Sequence, residues 1–436
     1  MSAMFRSLSA VNYRIWFAGA LVSNVGTWMQ RTAQDWIVLT QLTHNDALAV
    51  GVVMALQFGP QLILLPITGY AADHLDRRKL MMATQGAMGL LGLGLGILTV
   101  TGIVQLWHVY LFALLLGIVA AFDSPARQTF VGDLVGPKML GNAVALNSAS
   151  FNAARLVGPA VAGLLTAAVG AGWVFLLNAV SFAAVLASLN FMRRDRLHVT
   201  KRAARSRGSL VEGFRYVRRR PDLLTIFTMV FLVGTFGLNF PIFVASMAST
   251  VFHQGAGEYG ILSSVMAIGS VVGALLAARR EKPRGSLLSV AGVVFGIGCV
   301  AAAAAPSYWA FGAMLAVVGV ASQTFNTTAN GVVQLSTDPV VRGRVMAIYM
   351  AIFMGGTPIG APIVGWVADA FGPRWALVVG GASGILAAAV GVYYMVRYRG
   401  MRLAFTERRL RFTFAQPTRS MALAEMEGDE AAAQKA

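Results

Sequence analysis

Five charged side chains fall inside long apolar runs, as two pairs and a single: Arg31 with Asp35, Asp123 with Arg127, and Arg155. An ionised group at the centre of a membrane helix costs roughly 2.5–3.5 kcal/mol even on lenient insertion scales, so each needs a counter-charge, a wet cavity or a function. Both pairs have the i, i+4 spacing that stacks side chains one helical turn apart. Asn24, Thr27, Trp28, Arg31 and Asp35 fall along one helical face, so Arg31 and Asp35 can pair while facing a cavity. Asp35 has three readings: a proton carrier, the structural partner of Arg31, or a residue at the outer interface. Arg155 either pairs with an acid of another run or faces an anionic substrate. Gln57 and Gln61 bracket Pro60, and Asn147, Asn152, Asn239, Asn326 and Asn330 are further candidates for a cavity wall. Each alone equally suits an interhelical hydrogen bond. No Walker glycine-lysine loop, His/Glu zinc spacing or nucleophile elbow accompanies them, which argues against an enzyme, against ATP as energy source and against a metal site.

These side chains need long apolar helices to hold them. Of 436 residues 57% are hydrophobic and 12% charged, and the mean hydropathy is +0.66, where a soluble domain carries about 25% charge. The chain therefore reads as a polytopic membrane protein. The net charge of +17 is spread between apolar runs, which excludes a nucleic-acid surface. The lone cysteine, Cys299, rules out an intramolecular disulfide and a cysteine-based metal site. Residues 1–14 lack a signal-peptide core, so the first apolar run is expected to stay as a span.

Runs near the roughly 20 residues a span requires predict helices at 14–40, 48–72, 80–101, 107–130, 141–169, 173–192, 223–249, 257–278, 286–304, 307–333, 345–369 and 374–396. Of the 35 Lys and Arg, 32 lie in the termini and alternate loops, while the opposite loops carry only Arg374. Basic residues stay on the cytoplasmic side, so both termini are expected there. The fold class is all-α, twelve transmembrane helices in two pseudo-symmetric six-helix halves, residues 1–192 and 223–396. The linker 193–222 carries eleven basic residues and is expected to be partly helical on anionic lipid headgroups. The tail 397–436, basic then acidic, is expected to be disordered.

An internal repeat supports two halves. At an offset of 202 residues Gly141, Ala145, Phe151, Gly158, Gly163, Gly170 and Trp173 match Gly343, Ala347, Phe353, Gly360, Gly365, Gly372 and Trp375. Parallel halves related by an axis along the membrane normal place a substrate site between them near the midplane. Gly158 and Gly163 permit close helix packing and Pro159 allows a bend.

Between the second and third runs lie Gly69, Asp73, His74, Asp76, Arg77, Arg78 and Lys79. Gly69 lets a neighbouring helix approach, Asp73 offers a carboxylate to orphan backbone donors, and the basic cluster holds the turn in the cytoplasm. The segment resembles the loop between helices two and three of the major facilitator superfamily, G-x-x-x-D-(R/x)-x-G-R-(R/K)-(R/K), with Asp76 where the family usually has its second glycine. Residues 12–16, 26–30, 122–128 and 142–150 are similar to the enterobactin-exporter-like, or transmembrane secretion effector, branch. Gly158, Pro159 and Gly163 resemble the G-P-x-x-x-G region of its proton-driven exporters, in a packing or a coupling role.

The resemblance implies a monomeric secondary exporter of drugs, siderophores or other secreted metabolites in the cytoplasmic membrane. It would be driven by protons, with no cofactor and with alternating access. It also implies an inner gate of Gly69, Asp73, Arg77, Arg78, Asp123 and Arg127, in which Asp73 caps the start of the eleventh span and Arg77 reaches Asp123 when the gate is shut. Asp123 is thereby favoured for gating over proton transfer, leaving Asp35 as the principal carrier candidate. The competing classes are a facilitator or proton symporter importing a small metabolite and a non-transporting membrane scaffold.

Overall fold

The computed structural model describes residues 3–136, 139–193, 195, 197–198, 210–278, 285–338, 341–399, 402–406 and 409–413. Helix α1 (Val11–Ile37) runs into a π-helical turn at Val38–Leu42, α2 (Ala47–Ile63) and α3 (Leu65–His74) make the second crossing, and α4 (Arg77–Val100), α5 (Leu106–Leu134), α6 (Leu140–Val169) and α7 (Ala171–Phe191) complete the first half. After α8 (Leu210–Arg218) the second half begins with α9 (Pro221–Leu232), a π turn Val233–Gly237, α10 (Phe240–Ser246) and a π turn Met247–Val251. It continues with α11 (Ala256–Ala278), α12 (Gly285–Ala303), α13 (Tyr308–Ser336), α14 (Arg342–Phe371) and α15 (Pro373–Arg399). Ten of these segments are long and apolar enough to cross a membrane. With α1 and the α2–α3 pair they provide twelve crossings. Helix α1 buries Asn24, Gln30, Gln34 and Asp35, and a stretch that polar can cross a bilayer only where neighbouring helices cover it.

Starts of helices follow local chemistry. Asp46 accepts the Ala49 N–H at 3.0 Å, Asp76 the Lys79 N–H at 3.0 Å and Ser307 the Ala310 N–H at 3.3 Å, each capping a first turn. Asp76, off the family pattern, is thus a helix cap. Arg374, the lone basic residue of its side, caps the end of α12 by donating to the Ala303 and Ala305 carbonyls at 2.6 and 3.2 Å.

Two crossings expected as single helices are interrupted. The second breaks at Leu64, ahead of Pro66, and the seventh is non-helical at Leu238 and Asn239, ahead of Pro241. A proline lacks the N–H of the helical ladder and biases the preceding residue away from the helix. The repeat is longer than the matched residues suggest. Leu140–Val169 and Arg342–Phe371 lie 202 positions apart at both ends, as do Leu106–Leu134 and Tyr308–Ser336. Gly170 and Gly372 end their helices at φ +90° and +98°, a conformation favouring glycine.

The halves meet along two symmetry-related seams, α2 against α14 and α6 against α11. A Cβ at Gly163 would lie 2.5 Å from the Ala256 carbonyl oxygen and one at Gly365 2.5 Å from that of Ala47, so backbones pack directly. Both seams occupy the face where α1 ends, here called distal. Asp369 on α14 accepts the Ala47 and Leu48 N–H groups, both at 2.8 Å, tying the end of one half to the first turn of α2. Trp36 stacks on Tyr259 with ring centroids 5.5 Å apart. On the proximal face, by contrast, α3 packs on α5 of its own half and the start of α14 on α8 and α9 of its own half. The halves are closed distally and parted proximally.

Part of the linker folds onto the second half. Glu212 of α8 pairs with Arg344 at 2.7 Å, Val217 is buried, and Arg220 bonds Asp222, Tyr216 and the Ser336 carbonyl. The Asp222 hydrogen bonds raise the pKa of Arg220 above its ordinary value. Residues 199–209 of the basic linker lie outside the described residues. In the tail, where disorder is expected, Arg402–Thr406 and Arg409–Thr413 pair as antiparallel strands β1 and β2, with Arg402 opposite Thr413.

Candidate transport site

Asp123 is held directly by polar groups of two helices, α4 and its own α5. It accepts from Thr84 Oγ1 at 2.8 Å and Gln85 Nε2 at 2.7 Å on α4, and pairs with Arg127 at 2.9 Å on its own helix. Arg127 donates on to Asn24 Oδ1 of α1 at 3.2 Å, and Asn24 reaches Ser150 of α6 at 3.4 Å. The i, i+4 pairing expected from the spacing is present. Breaking such a pair by removing one member costs about 3 kcal/mol when fully buried and less here, because the Arg127 side chain is 21% exposed. The network fixes α1, α4, α5 and α6 as one body.

Arg77 does not reach Asp123. It places Nη1 2.9 Å from both oxygens of Asp133, nearly three helical turns nearer the proximal end of α5, and Arg78 caps α7 by donating to the Leu189 carbonyl at 2.8 Å. Asp133 escaped the sequence reading because it lies just beyond the apolar run. The Asp73 side chain lies outside the described residues, and Gly69 has no neighbour where its Cβ would be, as an open proximal face requires.

Arg31 and Asp35 form no ion pair, contrary to the spacing. The guanidinium sits between aromatic faces, 5.5 Å from the Trp28 ring centroid and 5.3 Å from that of Phe58 on α2. Its Nε has no hydrogen-bond partner. The Asp35 carboxylate is 6% exposed, interacts with Arg31 through charge alone, and lies near Tyr259 of the other half. The two membrane acids thus differ sharply: Asp123 accepts from three side chains, Asp35 from none among the described residues.

Arg155 meets no acid. Its Nη2 donates to Gln323 Oε1 of α13 at 3.4 Å, across the gap between the halves. Gln323 opens a cavity of about 400 Å³ lined by Asn326, Thr327, Asn330, Tyr349, Met350 and Phe353. Asn326 and Asn330 are therefore brought together as expected. Gln323 and Thr327 were missed, although the polar stripe at i, i+3, i+4 and i+7 of an apolar helix marks all four. Asn147 shares a face of α6 with Arg155 and with Phe151, which is 47% exposed and packs edge-on to Trp28 at 5.7 Å.

Other candidates belong to the scaffold. Asn239 is fully buried and donates to the Thr235 carbonyl at 2.7 Å, bracing the break in the seventh crossing instead of lining a cavity. Gln61 donates to the Gln57 carbonyl at 3.4 Å, and the Gln57 amide nitrogen is buried without a partner. Gly158 is a seat for α1, its Cβ position 2.6 Å from that of Trp28, and Gly163 is a seat for α11. The Gly158–Pro159–Gly163 face is thus a packing face on both sides, and its α11 side is a seam between halves.

Twelve crossings in two repeats, with a cavity on α13 and α14 of the second half that Arg155 of the first half approaches, define a multi-pass membrane transporter of the major facilitator fold. The chain matches the transmembrane secretion effector family over residues 2–428 and belongs to it. It is 27% identical over 402 residues to the multidrug efflux pump Tap of Mycolicibacterium fortuitum, covering 88% of this chain and 96% of that one. It is 26% identical over 365 residues to the staphyloferrin A transporter of Staphylococcus aureus, covering 82% and 90%. Its fold is similar to that of a bacterial homologue of the human lysosomal transporter Spinster in an inward-facing, unoccupied conformation, with a TM-score of 0.68 and 15% identity over 87% of this chain and 96% of that one.

Proposed function

We propose that the protein exports a small amphipathic organic compound across the cytoplasmic membrane by alternating access, exchanging it for protons. The observation that carries this reading is the asymmetry of the seams: the halves are tied at the distal face by Asp369 and the glycine contacts and keep to their own neighbours at the proximal face, where a cavity on α13 and α14 is approached by Arg155 of the first half through Gln323. The proximal face bears the basic loops, and by the preference of basic loops for the cytoplasm we read it as the cytoplasmic face, so that the cavity stands open to the side from which an exporter collects cargo. Both termini are then cytoplasmic, and the basic linker faces anionic headgroups. The six-helix halves are bodies that rock as units, the chain working as a monomer. The relative named as a multidrug efflux pump supports export, and the one named as a staphyloferrin A transporter supports a small organic cargo.

The proton is carried by Asp35. Protonating Asp123 would disrupt its ion pair with Arg127 and weaken the hydrogen bonds from Thr84 and Gln85, whereas Asp35 can take and lose a proton without breaking any hydrogen bond or ion pair. Its place beside the distal seam lets seam opening expose it to the outside. Asp123 instead fixes the first half, and Arg77 with Asp133 anchors the hinge.

Distances between spin labels test the rocking. Cys299 is fully buried, so cysteines introduced at exposed positions can be labelled selectively. Distal labels at Asn45→Cys and Phe371→Cys are expected to separate, and proximal labels at Gln128→Cys and Leu335→Cys to approach, between two pH conditions. Asp369→Asn, which weakens a carboxylate contact with a helix N-terminus worth about 0.3–1 kcal/mol at an exposed site, should raise the distal-open population about two- to fivefold. Distances fixed across pH and variant would contradict the scheme.

A further inference from the structure

Arg155 carries an unanswered charge at mid-membrane. Among the acids of the crossings, Asp123 is taken by Arg127, Asp35 lies beside Arg31, and Asp369 is bound at the distal face. The Gln323 oxygen, at 3.4 Å, is a neutral and distant acceptor. A cation at this depth calls for a counter-charge. The opposite wall is arranged to bind an anion as well. Gln334 Nε2 donates to Asn330 Oδ1 at 2.6 Å, which engages the Asn330 oxygen and leaves its amide nitrogen to donate, and Asn326, Thr327 and Asn330 line the same cavity. Beside these donors lie apolar surfaces: Met350, and the Tyr349 and Phe353 rings, parallel to within 3° with centroids 6.3 Å apart.

The geometry points to an organic anion as the transported substrate, a carboxylate above all, held by Arg155 and the α13 amides with its aromatic or apolar body against Tyr349, Met350 and Phe353. This rests on the cavity being the transport site proposed above. A guanidinium meets a carboxylate through two parallel N–H groups, while the cavity volume of about 400 Å³ is in the range of small-molecule sites. Neutral isosteres keep the apolar contacts and lose the charge-assisted bonds.

The test uses the full chain in phosphatidylcholine nanodiscs and calorimetric binding of naphthalene-2-carboxylate, naphthalene-2-carboxamide and 2-naphthylmethylammonium. The carboxylate should bind about ten- to a hundredfold more tightly than the carboxamide, the range for losing a charged hydrogen-bonded contact, and the ammonium weakest. Arg155→Gln should remove the preference, weakening the carboxylate far more than the carboxamide, and Arg155→Lys should keep part of it. Equal binding of carboxylate and carboxamide, no saturable binding of any probe, or an undiminished preference in Arg155→Gln would overturn the inference. A lipid phosphate offers the same charge. If phosphatidylglycerol in the discs displaces the carboxylate, Arg155 is a headgroup site and the substrate assignment fails. A carboxylate preference without uphill transport in proteoliposomes would sink the export reading alone, and uphill export of neutral compounds without that preference would sink this inference alone.

Discussion

Asp35→Asn is expected to reduce gradient-driven export to background while leaving substrate binding and passive exchange measurable. Asparagine keeps the size and much of the polarity of the side chain but cannot exchange a proton at neutral pH. The position makes few other demands: Asp35 accepts no hydrogen bond among the described residues, so the amide leaves no structural donor orphaned. A loss of uphill transport of at least about tenfold with only a small fall in melting temperature is the expected outcome, because Asp35 meets Arg31 through charge alone and accepts no hydrogen bond among the described residues. Asp123→Asn should behave in the opposite way, lowering the melting temperature because Arg127 loses its buried counter-charge. Uphill export at normal proton stoichiometry in Asp35→Asn would move the carrier elsewhere, and Asp123 would then be the next acid to examine.

Gly163→Val should hold the distal face open. At Gly163 an added Cβ would sit 2.5 Å from the Ala256 oxygen, 3.0 Å from Gly260 Cα and 3.2 Å from the Gly257 oxygen. All three are backbone atoms, which cannot swing aside as a long side chain can. The seam can relieve the overlap by opening, and a shift from 1:99 to 99:1 needs only about 5.5 kcal/mol. Transport is therefore expected to fall to background, with the distal Asn45→Cys and Phe371→Cys labels fixed at their long distance. Gly163→Ala should be a milder version of the same effect. Normal turnover in Gly163→Val would show that the seam is not part of the transport cycle.

Much of this architecture is legible from local sequence. Apolar run length gives the twelve crossings, and the 202-residue repeat gives the halves. What escapes is set by contacts between distant parts of the chain. The spacing of Arg31 and Asp35 matches that of Asp123 and Arg127, yet only the second pair forms, because Phe58 of α2 joins Trp28 in taking the Arg31 guanidinium. Asp369 and the first turn of α2 are 322 residues apart, and helical periodicity carries no information about that pairing. Asp133 was hidden by its place at the membrane edge, where an acid needs no explanation. The break at Leu238 and Asn239 was within reach, since Gly234, Gly237 and Pro241 cluster there.

Proton-coupled flux in proteoliposomes reads the central claim most directly. With the chain reconstituted in one orientation and a pH gradient imposed, naphthalene-2-carboxylate should move uphill from the proximal to the distal side as protons move the other way. The flux should collapse when a protonophore removes the gradient and be absent in Asp35→Asn. Movement of substrate in the same direction as protons, or uphill movement indifferent to the gradient, would contradict the account.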